Sequence, residues 1–127
     1  ENVIFYPVLL GEALDKVYEQ GDIALSSLGF YKDKLNRENS LKVREYMAKG
    51  FPIITVCKVN GIDEAYPFVC QLPNNATPVE IETILEFYDD LCRKYPRSEM
   101  QTAIRNYARR TVDMPIVMKE IIDFVKV

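Results

Sequence analysis

The stretch Asn39-Ser40-Leu41-Lys42-Val43-Arg44-Glu45-Tyr46-Met47-Ala48-Lys49-Gly50-Phe51-Pro52-Ile53-Ile54-Thr55-Val56 decides how this chain is read. Its pattern is that of a helix feeding a strand. Asn39 or Ser40 offers a side-chain oxygen to the first free amides of a helix, and Gly50 suits the left-handed position that ends one. Pro52 then introduces a buried strand, Ile53 to Val56.

Successive residues lie about 100° apart around a helix, which places Val43, Tyr46, Met47 and Gly50 on one face and Lys42, Glu45 and Lys49 on the far side. Glu45 therefore points away from the core. Lys42 falls in the first turn, where unpaired amides already make the field positive and an acidic residue is the ordinary choice. An anionic ligand, a phosphate above all, relieves that conflict by accepting from the amides and the ammonium together. Glu45, one turn further on, has two acceptor oxygens for a vicinal diol such as a ribose. The competing reading is a solvated face on which Glu45 pairs with Lys49, and on spacing alone that is the simpler one.

Outside this stretch, composition bounds the answer. A chain of 127 residues with 48% hydrophobic content has the length of one domain with one real core. A net charge of -3 and a pI near 5.0 argue against nucleic acid as a partner, because phosphate-backbone binding needs a concentrated basic surface. Three cysteines, Cys57, Cys70 and Cys92, lack metal-ligand spacing and sit in or beside apolar segments. They read as reduced core thiols of a cytosolic protein. The absence of histidine removes Ser-His-Asp and Cys-His mechanisms within this chain. No segment reaches the length of a membrane span, and the start lacks the basic and apolar blocks of a signal peptide.

The rest of the chain supplies the expected fold. Val3-Ile4-Phe5-Tyr6, stopped by Pro7, is patterned as a strand buried on both faces. A chain that opens inside a core strand reads as a fragment of a longer protein. Glu12 to Gln20 is a short amphipathic helix ending at Gly21, and Asp22 to Ser26 a second strand. Ser27 to Glu38 is a long polar loop carrying Lys32, Lys34 and Arg37, either functional or a mobile surface loop. After the central helix and its strand, Lys58 to Pro67 reads as irregular and Phe68 to Cys70 as a fourth strand. Thr77 caps a helix with Pro78 at its first position and Glu80 closing a capping box; it runs to about Tyr95. Another helix starts at Ser98, with Arg105, Arg109 and Arg110 on its outer side, and Asp113 caps a last helix with Val117, Met118, Ile121, Ile122 and Val125 as apolar residues. The sum is an α/β fold: a Rossmann-like three-layer sandwich with a parallel sheet of about four strands and helices on both faces. Ligands of such sheets bind beyond the carboxyl ends of the strands, which points to Ser26 onward and the start of the central helix.

The block Asp-Ile-Ala-Leu-Ser-Ser-Leu-Gly (22–29), followed by Ser-Leu-Lys-Val-Arg-Glu-Tyr-Met-Ala-Lys-Gly-Phe-Pro-Ile-Ile (40–54), resembles the nucleotide-sugar half of GT-B-type retaining glycosyltransferases, the glycosyl transferases group 1 family. The resemblance covers residues 1–56 well and the later helices only in general layout. It implies that the chain is the carboxyl-terminal, donor-binding domain of a longer two-domain enzyme moving a hexosyl group from a nucleoside-diphosphate sugar to a polysaccharide, glycolipid or similar acceptor. On this resemblance Glu45 contacts the ribose hydroxyls, and Ser40, Leu41 and Lys42 hold the diphosphate. Ser27 lines the same pocket together with Ser26. Many members carry a second glutamate eight positions before Glu45 that contacts the donor sugar; here Arg37 stands at that position, with Glu38 beside it. The family's other basic diphosphate ligands lie upstream of residue 1, as does the acceptor-binding domain. No cofactor and no metal is implied, since helix amides and cations stabilise the leaving diphosphate. The implied location is cytoplasmic, with peripheral contact of the parent enzyme at the inner face of a membrane.

Two other classes compete. A non-enzymatic α/β regulatory module of the receiver type needs carboxylates at its strand ends to hold magnesium, whereas the expected ends here read Tyr6-Pro7, Ser26-Ser27 and Val56-Cys57. A nucleotide-sugar epimerase of the same architecture would share the nucleotide subsite and differ only in the other domain.

Overall fold

Ser40 and Gly50 bracket helix α2 (Leu41–Lys49) in the computed structural model, which describes residues 2–126. The Val43 amide donates to the Ser40 hydroxyl at 3.4 Å, and the Gly50 amide, at φ 87°, donates to the Met47 carbonyl. That glycine is required twice over. Its φ is left-handed, and a Cβ there would lie 2.9 Å from the Gln101 carbonyl oxygen of the neighbouring helix. Val43 and Met47 are fully buried, as the helical spacing predicts, and Tyr46 packs against them partly exposed.

After Pro52 the chain enters β3 (Ile53–Thr55), all three of whose residues are buried. It is the middle strand of a parallel sheet of order β1-β3-β5, with β1 at Ala24–Leu25 and β5 at Val69–Gln71. Ala24 registers with Ile53, and Ile53 with Val69. Helix α1 (Glu12–Glu19) precedes β1, and α2 is the crossover from β1 to β3. Because side chains alternate along a strand, Ile53 and Ile54 go to different faces. Ile53 joins Val43 and Met47 of α2 and Met100 and Ile104 of α4 (Arg97–Thr111). Ile54 joins Val56, Cys57 and Leu72, against which Ile84 and Phe87 of α3 (Ile81–Lys94) pack. The last helix, α5 (Met114–Val125), begins at Asp113, whose carboxylate accepts from the Met114 amide.

The fold is thus mixed α/β with parallel strands, as expected, while several finer expectations are corrected. Val3 to Tyr6 forms no strand, and its side chains lie in solvent, Phe5 being 92% exposed. A buried strand needs a ladder partner and cover on both faces; β1 spans only two residues and pairs with β3. The main sheet therefore has three strands rather than four. A second parallel pair, β2 (Arg37–Glu38) with β4 (Lys58–Val59), arises in segments that read as loops. Helix α3 starts at Ile81 rather than at Pro78: the Thr77 amide donates to the Asn75 side chain, so Thr77 belongs to a turn and the expected capping box does not form. Of the three thiols only Cys57 is buried; Cys92 is exposed. Asp113 caps α5 as predicted, but no residue of that helix is buried. No helix among the described residues is long and apolar enough to cross a membrane.

Candidate site at the amino end of the central helix

Parallel strands end together, so β1 and β3 open on the edge where α2 begins. The alternation that sorts Ile53 from Ile54 also sorts the two serines after β1. Ser26 turns inward and is buried, while Ser27 is half-exposed and meets Lys42, whose Nζ donates to its hydroxyl at 3.4 Å. The amides of Leu41 and Lys42 open the helix and have no intrahelical carbonyl to bond. The structure therefore brings together Ser27, Ser40, Leu41 and Lys42.

Glu45 stands one turn further along, exposed, with Oε1 accepting the Tyr18 hydroxyl of α1 at 3.1 Å. Burial pushes the Tyr18 phenol up to about 12, and the hydrogen bond to Glu45 and that carboxylate's charge add to the shift. Lys49 does not pair with Glu45. It bonds Asp15 of α1 instead, and its ammonium lies 5.6 Å from the centre of the Tyr18 ring. The solvated Glu45–Lys49 pair is consequently not formed, and Glu45 is left with one carboxylate oxygen free of protein donors among the described residues.

The residue the sequence reading passed over is Glu38. Arg37, placed at the sugar contact, is exposed on β2 in register with Lys58. Glu38 turns inward and is only 4% exposed. Its carboxylate accepts from three hydroxyls: Ser26 at 2.9 and 3.0 Å, Ser40 at 2.9 Å and Thr55 at 2.5 Å. One side chain thus ties the end of β1, the cap of α2 and the end of β3. The Thr55 hydroxyl in turn accepts from the Cys57 amide, and burial together with the Glu38 charge pushes the Cys57 thiol up. In-out alternation could have flagged Glu38, but β2 is two residues long and carries no readable period.

These contacts also decide the nature of the loop from Ser27 to Glu38. Phe30–Asp33 forms a 3-10 helix, Lys34 takes a left-handed conformation at φ 56°, and the Leu35 carbonyl accepts from Asn74 at 2.6 Å. The segment is anchored at its far end by Glu38, while Lys32 and Lys34 remain in solvent.

Chemically, the edge offers donors for an anion, namely an ammonium, a hydroxyl and two free amides, with an acceptor carboxylate one turn away. No family model matches the chain, and no curated protein or solved structure matches it either.

Proposed function

We propose that this chain is the donor-binding part of a hexosyltransferase: it takes a nucleoside-diphosphate sugar at the amino end of α2, and a second domain presents the polysaccharide or glycolipid acceptor. The observation that carries this reading is the 3.4 Å approach of the Lys42 ammonium to the Ser27 hydroxyl beside the first amides of α2, with the exposed Glu45 carboxylate one turn on. As the glycosidic bond breaks, negative charge grows on the diphosphate, and fixed amides plus a cation stabilise charge that develops there. Glu45 accepts from the ribose hydroxyls, and its bond to Tyr18 holds it in place to do so. Transfer requires donor carbon and acceptor oxygen together in a closed cleft, so the reaction belongs to the two-domain parent and the nucleotide to this half.

Titration of UDP, GDP and ADP by ligand-observed NMR tests the reading. One nucleotide is expected to bind selectively, with a dissociation constant on the order of 1 mM for half a site. Lys42→Ala and Glu45→Ala should each weaken it by about tenfold. Equal binding by both variants and the unchanged chain would refute it.

A further inference from the structure

On another flank of α2, about 100° round the helix from Lys42, the outer faces of α2 and α4 leave an open cavity of about 390 Å³. Leu41, Glu45 and Ala48 line it from α2, at the spacing of one helix face, and Arg105, Ala108 and Arg109 line it from α4 in the same way. Ala48 and Ala108 keep its floor low, where longer side chains would fill the space. Leu41 and, across the groove, Met114 at the start of α5 are large apolar residues left exposed, by 72% and 51%.

The charged groups around this groove differ in how they are held. Arg44 donates to the Val112 carbonyl at 2.8 Å and to the Asn39 side chain, and Arg105 donates to the Lys49 carbonyl at 2.9 Å. Glu45 accepts the Tyr18 hydroxyl on one oxygen and keeps the other free of protein donors among the described residues, and Asp113 accepts the Met114 amide. None of the three arginines makes an ion pair among the described residues, and Arg109, which is exposed, makes no side-chain hydrogen bond among them either. The groove therefore presents apolar walls, the carboxylates of Glu45 and Asp113, each with one protein donor, and three arginines, of which Arg109 alone lacks a protein hydrogen bond among the described residues. Its volume suits roughly fifteen to twenty non-hydrogen atoms and lies within the range of small-molecule sites.

We propose that this groove binds a small anionic amphiphile, with its acid group on Arg109 and its apolar part over Ala48, Ala108, Leu41 and Met114. The groove shares Leu41 and Glu45 with the proposed nucleotide site, but the proposal rests on Arg109 and the apolar floor and not on that reading. The probes are octanoate and its neutral analogue 1-octanol, titrated against methyl-labelled protein. Octanoate should shift the methyls of Leu41, Ala48, Ala108 and Met114 with a dissociation constant on the order of 1 mM, at least about fivefold tighter than octanol. Arg109→Glu should weaken octanoate by about tenfold. Arg110→Glu, the same charge change on a neighbour outside the groove, should leave it unaltered. Ala48→Phe, an exposed position where added bulk fills the floor, should abolish the shifts. Equal binding of octanol and octanoate, equal weakening by the two arginine variants, or no movement of these methyls would overturn the proposal.

Discussion

Val3-Ile4-Phe5-Tyr6 and Ile53-Ile54-Thr55-Val56 read alike, each a run of large strand-forming residues beside a proline, and they end at opposite extremes of burial. In the second run no residue is more than 3% exposed; in the first none is less than 49% exposed. Composition does not separate them. Ile53–Thr55 has a ladder partner on each side and a buried hydrophobic cluster on each face, whereas Val3–Tyr6 has neither among the described residues. An apolar run encodes the capacity to be buried, and cover supplied by other elements decides whether that capacity is used. The exposed apolar residues of α5 make the same point at the other end of the chain.

The comparison breaks most sharply at its buried pole. Ile54→Ala should cost about 3–4 kcal/mol in urea unfolding, since Ile54 is fully buried and the cavity left behind adds to the lost transfer energy. Glu38→Ala should cost about 2–3 kcal/mol in the same assay, because three hydroxyls lose their acceptor in a buried site. Gly50→Ala should cost about 2 kcal/mol, from a left-handed φ and a Cβ pressed against Gln101.

A gentler probe is alkaline pH. The Tyr18 phenol is raised in the folded state, so its contribution to stability is complete below about pH 10 and is lost as pH rises towards about 12. Glu45→Ala should lower the Tyr18 midpoint in an absorbance titration yet leave it above the ordinary value, because burial is the larger cause. At the exposed pole, Phe5→Ala should change stability by no more than about 0.5 kcal/mol. A loss above about 2 kcal/mol there would show that the first run is covered after all.

Much of the central region was legible beforehand. Ser40, Gly50 and the Val43–Met47 face follow from helix capping and period, which are local properties; the rule for parallel sheets points to the edge where Ser27 and Lys42 lie, but not to their contact. What escaped depends on partners distant in sequence. The β2–β4 pair joins two segments too short and polar to show a period, and Glu38 is buried only because Ser26, Ser40 and Thr55 arrive from three elements to satisfy it. The start of α3 was missed for the opposite reason: a strong local signal at Thr77 and Pro78 lost to the turn made by Asn75.

The central claim is that the amino end of α2, with Ser27, receives a nucleoside diphosphate. Backbone amide shifts of the isotopically labelled chain, followed during titration with UDP, GDP and ADP, test it most directly. The account predicts that one nucleotide moves the amides of Ser27, Leu41, Lys42 and Glu45 more than any others, and that inorganic pyrophosphate moves the first three but not Glu45. Saturating nucleotide that leaves these amides in place, or whose largest shifts fall elsewhere on the chain, would contradict it.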